Sequence, residues 1–234
     1  MRLVCISDTH TMHDQVVVPT GDVLIHAGDW SGHGSGDELL RFARWLKRQP
    51  HEHKLVIAGN HDWSAVRNEE GAVRSVFASA GAIYLRDSEV VIDGLKFYGS
   101  PWQPEFCQWA FNLPRGGDEL RERWAAIPAD TAVLITHGPP HGILDHCPTP
   151  QGCERLTEWL EMQTPLVHVF GHIHEGAGAY KGHRTLFVNA STCTATYQPN
   201  NPPIVVDIER EKMLPHGFAY GTRVAIDKKH LRDV

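Results

Sequence analysis

The sequence predicts an α/β fold, a four-layer sandwich of two mixed β-sheets packed face to face with helices outside. Three observations lead there. Short β-branched apolar runs bounded by Gly and polar residues recur along the chain and read as strands covered on both faces. Segments of helical period separate these runs in the first half, as crossover connections do. In the second half strand-like runs meet at turn dipeptides, which adds antiparallel hairpins to the parallel pattern.

The first-half strands are expected at Leu3–Ile6, Val23–Ile25 and Leu55–Ile57, and the second-half ones at Val133–Ile135 and Leu166–Phe170. Ser35-x-x-Glu38 reads as a capping box opening a helix. Leu39, Phe42, Ala43 and Leu46 form its apolar face, and Lys47 and Arg48 suit its C-terminus. A second helix is expected from Asn68 to Ala80, with Val73, Val76 and Phe77 inward and Gly81 as the stop. A third spans Glu154–Gln163 ahead of Pro165, and a shorter one Asp118–Ala126. Tyr84–Ser100 alternates as two strands joined at Asp93-Gly94. A second hairpin links Gly178–Tyr180 to Thr185–Val188 around Lys181-Gly182, and Ile204–Ile208 reads as a further strand. Residues 1–210 are expected to form a single domain, with 211–234 as a C-terminal tail or oligomer arm.

A chain of 234 residues can bury a large core without staples. The five cysteines are odd in number and scattered, and no secretory apolar segment precedes the first strand, so a reducing, cytoplasmic setting is expected. No apolar run approaches membrane-spanning length. Net charge is −6 with dispersed Lys and Arg, which argues against gripping a long nucleic acid but leaves room for a small phosphorylated ligand.

Polar residues with metal-binding side chains follow nearly every apolar run: Asp8-x-His10, Asp29, Asn60, His137 and His172-x-His174. Open α/β sheets place ligand sites beyond the carboxyl ends of their strands, so five strands would deliver these tips to one rim. Carboxylate, imidazole and amide oxygen form a mixed set suited to Mn²⁺, Zn²⁺ or Fe²⁺, with Mn²⁺ favoured here. Seven ligands would overcoordinate one ion. A pair about 3.5–4 Å apart, bridged by a carboxylate and a hydroxide, accommodates them and suits in-line displacement at phosphorus.

Asp8-Thr9-His10, Gly28-Asp29, Gly59-Asn60-His61-Asp62, Thr136-His137-Gly138 and Gly171-His172-Ile173-His174 resemble, in order, the five blocks of the calcineurin-like metallophosphoesterase superfamily. Ser100-Pro101-Trp102-Gln103-Pro104, Phe111–Gly116, Thr136–Pro140 and Asn189–Thr194 look like its MPPED-like (239FB) branch of metal-dependent phosphodiesterases, and the similarity runs through Pro203. Some mammalian members of that branch carry Gly where this chain has His172, so a complete binuclear site is implied here. The resemblance implies that Asp8, His10 and His174 hold the first metal and Asn60, His137 and His172 the second, with Asp29 bridging. His61 would be the general acid or a cation stabilising the transition state, and a metal-bridging hydroxide the nucleophile. Asp62 either orients His61 or is a turn residue.

Other features have plainer readings. His26, His33, His141, His146, His168 and His183 are expected to be structural or surface residues, although His33 and His141 lie close enough in sequence to ligands to line the pocket. Gly32, Gly34 and Gly36 imitate a phosphate loop but have poor strand-to-helix spacing, and Cys147 and Cys153 lack CxxC spacing. Trp102, Phe106, Trp109 and Phe111 form either a hydrophobic cluster under a long loop or, through Trp102, Trp109 and Phe111, a stacking wall for a nucleobase. The expected function is a metal-dependent phosphodiesterase acting on small phosphodiesters, with cyclic or linear nucleotides favoured. The alternative is a catalytically weak nucleotide-binding or scaffold protein on the same fold, whose signature would be lost ligands; none is lost here.

Overall fold

The apolar runs become strands in a computed structural model, which describes residues 1–210 and 222–232. In chain order the strands are β1 (Arg2–Ile6), β2 (Val23–Ala27), β3 (His53–Ile57), β4 (Ile83–Tyr84), β5 (Ser88–Ile92), β6 (Leu95–Ser100) and β7 (Gln103–Pro104), then β8 (Asn112–Leu113), β9 (Val133–Thr136), β10 (Val167–Phe170), β11 (Gly178–Lys181), β12 (Leu186–Asn189), β13 (Ile204–Arg210) and β14 (Thr222–Ile226). The helices are α1 (Gly36–Arg48), α2 (Ser64–Arg67), α3 (Glu70–Ser79), α4 (Asp118–Ala125) and α5 (Glu154–Met162).

One sheet has the order β14-β13-β1-β2-β3-β4, with β1 to β4 parallel and the other two antiparallel beyond β1. The second has the order β11-β12-β10-β9-β6-β5, parallel from β12 to β6 and antiparallel at both edges. Successive side chains on a strand face opposite layers. Leu3 and Cys5 therefore point between the sheets, with Ile25, Leu55 and Ile57, toward Phe97, Val133, Ile135 and Val169. Val4 and Ile6 face outward to Trp30, Phe42, Leu46 and Phe77 beneath α1 and α3. On the far side Tyr98 and Leu134 meet Trp124, Leu156 and Trp159 of α4 and α5. The expected four layers follow from this alternation, and each large side chain so buried contributes about 1.5–3 kcal/mol.

The α1 capping box forms as expected, with Ser35 and Glu38 satisfying each other's amides. The helix expected from Asn68 to Ala80 forms as α3, and a short helix that was not expected, α2, precedes it. Asn68 closes the short α2 by donating to the Ser64 carbonyl, and α3 begins at Glu70. Tyr84 pairs with Val56 in the first sheet, so the chain changes sheets before Ser88. The remaining β5–β6 pair turns at Asp93 and Gly94, both at positive φ (47° and 70°), as a type I′ hairpin turn requires. Part of the expected tail beyond residue 210 joins the first sheet. Residues 222–226 alternate as an edge strand on β13, and Val224 and Ile226 pack against the inter-sheet core. Leu231 then bridges to Ala179. Residues 211–221 of the expected tail lie outside the described residues. Among the described residues no helix is long and apolar enough to cross a membrane.

Candidate metal centre

The loops after β1, β2, β3, β9 and β10 carry every residue expected in the metal site, and all leave the carboxyl ends of parallel strands. Ser7 bridges to Ser191, and the Thr192 amide donates to the Ser7 carbonyl at 2.8 Å, which fastens the two sheets at this rim. Asp8, His10, Asp29 and His172 all have positive φ (51°, 40°, 57° and 67°). Bulky residues hold that conformation at a cost of about 1–3 kcal/mol each, and only where the surroundings over-determine it. The motif glycines are required by close approach. A Cβ at Gly59 would overlap the Asp29 carboxylate, and one at Gly171 the Asp8 carboxylate and the Ser7 side chain.

Asp8, His10 and His174 form one donor cluster, and Asp8, Asp29 and His137 another, with donor atoms within 4.8 Å of each other in each. Asp8 Oδ1 lies 3.5 Å from His174 Nε2 and 4.0 Å from His10 Nε2. Asp29 Oδ2 stands between the groups, 3.4 Å from His137 Nε2, 3.9 Å from His10 Nε2 and 4.0 Å from His61 Nε2. Asn60 Oδ1 meets His137 Nε2 at 2.9 Å. The His172 ring centroid is 5.1 Å from that of His137, and its backbone amide donates to both Asp8 oxygens. Asp8, His10, Asp29, His61, His137 and His174 thus share donor clusters, Asn60 joins them through His137, and the His172 ring lies beside that of His137.

The imidazoles share one arrangement. Nδ1–H of His10, His61, His137 and His174 donates to the carbonyls of Ser31, Gly32, Ala27 and Thr194 respectively. A neutral ring so held presents a bare Nε2 lone pair to the centre, the tautomer that metal-binding histidines adopt. The Nε2 atoms of His10 and His174 are then 3.3 Å apart, and His137 Nε2 faces another acceptor, Asn60 Oδ1. Facing lone pairs need a cation or a shared proton between them. The donor set therefore fits divalent ions.

Electrostatics agree. Burial opposes charge on Asp8 and Asp29, yet the surrounding histidines hold both carboxyls below their usual range. Burial pushes His137 down, but Asp29 and Asp8 overcome it and raise the imidazole to about 9. Burial, aided by His137, lowers His172 to about 3.

Asp62 does not touch the His61 ring. Its buried carboxylate accepts the backbone N–H groups of Asp29, Ser31 and Gly59 and the Ser31 hydroxyl, tying the loop after β3 to the loop after β2. Two of the three rings expected in the stacking wall pack on each other. Phe111 is buried, and Trp102 packs edge-on against it while its indole N–H donates to Asp87 and Arg123 lies over its ring. Only Trp109 of the three reaches the centre, stacked on His61 with ring centroids 4.2 Å apart. Phe106 meets His172 edge-on at 5.2 Å. Tyr197, which sequence reasoning missed, lies 5.0 Å from the His10 ring and 5.2 Å from that of His174. No strand end precedes it to flag it. The amides of Gly32 and His33 are already bound by Glu38, so this glycine run is no phosphate loop. His26 and His168 are buried in the core, while His33, His141, His146 and His183 are exposed.

Two stacked mixed sheets with imidazoles and carboxylates at their shared rim define the metallophosphoesterase fold, the class to which the structure is similar. TT1561 of Thermus thermophilus has a TM-score of 0.54 at 15% identity, over 80% of this chain and 88% of that one. The chain belongs to the calcineurin-like phosphoesterase family, whose model matches residues 1–176. It is 45% identical over 234 aligned residues to human metallophosphoesterase domain-containing protein 1, covering 88% of this chain and 71% of that protein. A UPF0046 protein of Caenorhabditis elegans is 39% identical over 225 residues, 91% of this chain and 77% of the relative.

Proposed function

We propose that the protein is a metal-dependent phosphodiesterase acting on small phosphodiesters, with cyclic or linear nucleotides the favoured class. The reading rests on the four imidazoles whose Nδ1–H groups are tied to backbone carbonyls while their Nε2 atoms converge on Asp8 and Asp29. Asp8, His10 and His174 would hold one divalent ion, Asn60, His137 and His172 a second, and Asp29 would be shared. The mixed oxygen and nitrogen donors suit Mn²⁺, Fe²⁺ or Zn²⁺, and Mn²⁺ is the ion proposed. Such ions, when bound, supply Lewis acidity toward phosphoryl oxygens and a hydrolytic water of lowered pKa.

The chain's own residues do the rest. Asp62 fixes the loops that carry Asp29 and His61, and the Asp29 Oδ1 atom accepts the His61 amide at 2.8 Å. His61, held by Gly32 and Trp109, aims Nε2 into the centre, where its protonated form can give a proton to a departing alkoxide. Trp109 offers the aromatic surface nearest that proton for a nucleobase. A reducing, cytoplasmic setting belongs to the same proposal, since all five cysteines are free thiols. The partners proposed are small esters rather than long nucleic acids, given the net charge of −6. The test is a panel of mono- and diesters offered to Mn²⁺-loaded protein. Diesters, including cyclic nucleotides, should turn over faster than the matching monoesters, and the reverse order would sink the diester assignment.

A further inference from the structure

Tyr197 is large and amphipathic, yet half of it is exposed, at 49%. Its backbone has a φ of 57°, a conformation that bulky side chains adopt only when the surroundings impose it. Here they do. The Tyr197 amide donates to the Thr194 carbonyl at 2.8 Å, and the Thr194 amide to the Gln198 carbonyl at 2.8 Å. Asn201 anchors the same segment by donating its side-chain amide to the Ser191 and Cys193 carbonyls. The Thr194 carbonyl is also the acceptor that orients His174. One turn therefore sets a metal-binding imidazole and places the tyrosine ring beside it.

The ring lies against both His10 and His174, whereas Phe106 borders His172 and Trp109 borders His61. Tyr197 thus walls the Asp8–His10–His174 side of the centre, and its exposed surface is open to whatever enters. Metals recognise phosphoryl oxygens and are indifferent to the ester's substituent, so selection among substituents has to come from such walls.

We propose that Tyr197 is a substrate-binding residue whose ring packs against a planar aromatic substituent, aryl or nucleobase, of a phosphoryl group held at the metal centre. It rests on the metal-centred reading above. The test compares binding of phenylphosphonate and methylphosphonate, neither of which is an ester, to Mn²⁺-loaded protein by calorimetry. Wild type should prefer the phenyl compound. Tyr197→Ala should weaken phenylphosphonate about two- to tenfold, the span for losing one aromatic pair, while sparing methylphosphonate and metal content. Tyr197→Phe, which keeps the ring, should retain the preference. If Tyr197→Ala weakens both ligands equally, or Tyr197→Phe loses the preference, the ring is not the agent and the proposal fails. Failure of wild type to bind either phosphonate would instead overturn the metal-centred reading, and this proposal with it. Normal binding without turnover of any diester would overturn only the enzymatic reading.

Discussion

The backbone amide of Asp29 donates to the carboxylate of Asp62 at 2.9 Å, so the carboxylate at the middle of the centre is held in place by one that faces no imidazole. Asp62 Oδ2 also accepts the Gly59 amide, while Oδ1 accepts the amide and hydroxyl of Ser31. Both oxygens are thus surrounded by donors. Asp62→Asn would turn an NH₂ group toward N–H groups in a buried site, and stranded donors of this kind cost about 1–3 kcal/mol each. Metal-free Asp62→Asn should therefore lose about 2–4 kcal/mol of stability in urea unfolding, and its loops should hold metal less tightly. Unchanged stability would mean that Asp62 is only a turn residue.

Asp29 Oδ2 lies near an imidazole of each proposed ligand group, 3.4 Å from His137 and 3.9 Å from His10, and is the ligand proposed to be shared. Its removal should empty the whole centre rather than half of it. Metal analysis of Asp29→Ala, after reconstitution with excess Mn²⁺, is expected to find both ions lost. Wild type that retains at most one ion under the same conditions would contradict a binuclear centre.

His137 gives metal binding a pH dependence with a defined sign. In the metal-free site its imidazole is raised to about 9 by Asp29 and Asp8, despite burial. Below that pH an incoming ion must displace a proton, so apparent affinity falls as pH falls and levels off above it. One displaced proton corresponds to about tenfold in affinity per pH unit over the neutral range. Calorimetry in two buffers of different ionisation enthalpy should detect the released proton near pH 7. A pH-independent affinity would show that His137 is already neutral before metal arrives.

His61 sits within reach of Asp29 but belongs to neither proposed ligand set. His61→Ala should lower kcat by about 10²–10⁴ while leaving metal content nearly unchanged, the span for removing a general acid. The loss should shrink for bis-p-nitrophenyl phosphate, whose leaving group needs little protonation. A fall in metal content instead would make His61 a ligand, consistent with its place near His10 and Asp29.

The rim was legible from sequence because a parallel strand buried on both faces ends abruptly in polar residues, and such ends share one side of a sheet. Asp8, Asp29, Asn60, His137 and His172 each follow an apolar run for that reason. The hairpin at Asp93-Gly94 was legible because few dipeptides accept two positive φ values. The strand at Thr222–Ile226 was not, since its run Thr-Arg-Val-Ala-Ile is only weakly apolar and is defined mainly by the edge it joins. Tyr197 was hidden likewise. Its ring reaches His10 through a turn whose conformation comes from Asn201 and Thr194, and no periodicity encodes such a turn.

The aromatic loop divides by environment. Trp102 and Phe111 pack on each other, and Trp102 is further held by Asp87 and Arg123, so their contribution is to the fold. Trp109 has one face on His61 and remains partly exposed. Stacking of a base on one aromatic ring contributes about 1–3 kcal/mol, so Trp109→Ala should raise KM for a cyclic nucleotide roughly five- to a hundredfold. A methyl aryl diester, which carries no base, should keep a KM near that of wild type. Trp102→Ala should do the opposite, lowering the Tm while leaving the ratio of the two KM values unchanged. If Trp109→Ala folds normally and shifts both substrates equally, the ring acts through His61 alone, and base preference must come from elsewhere in the mouth.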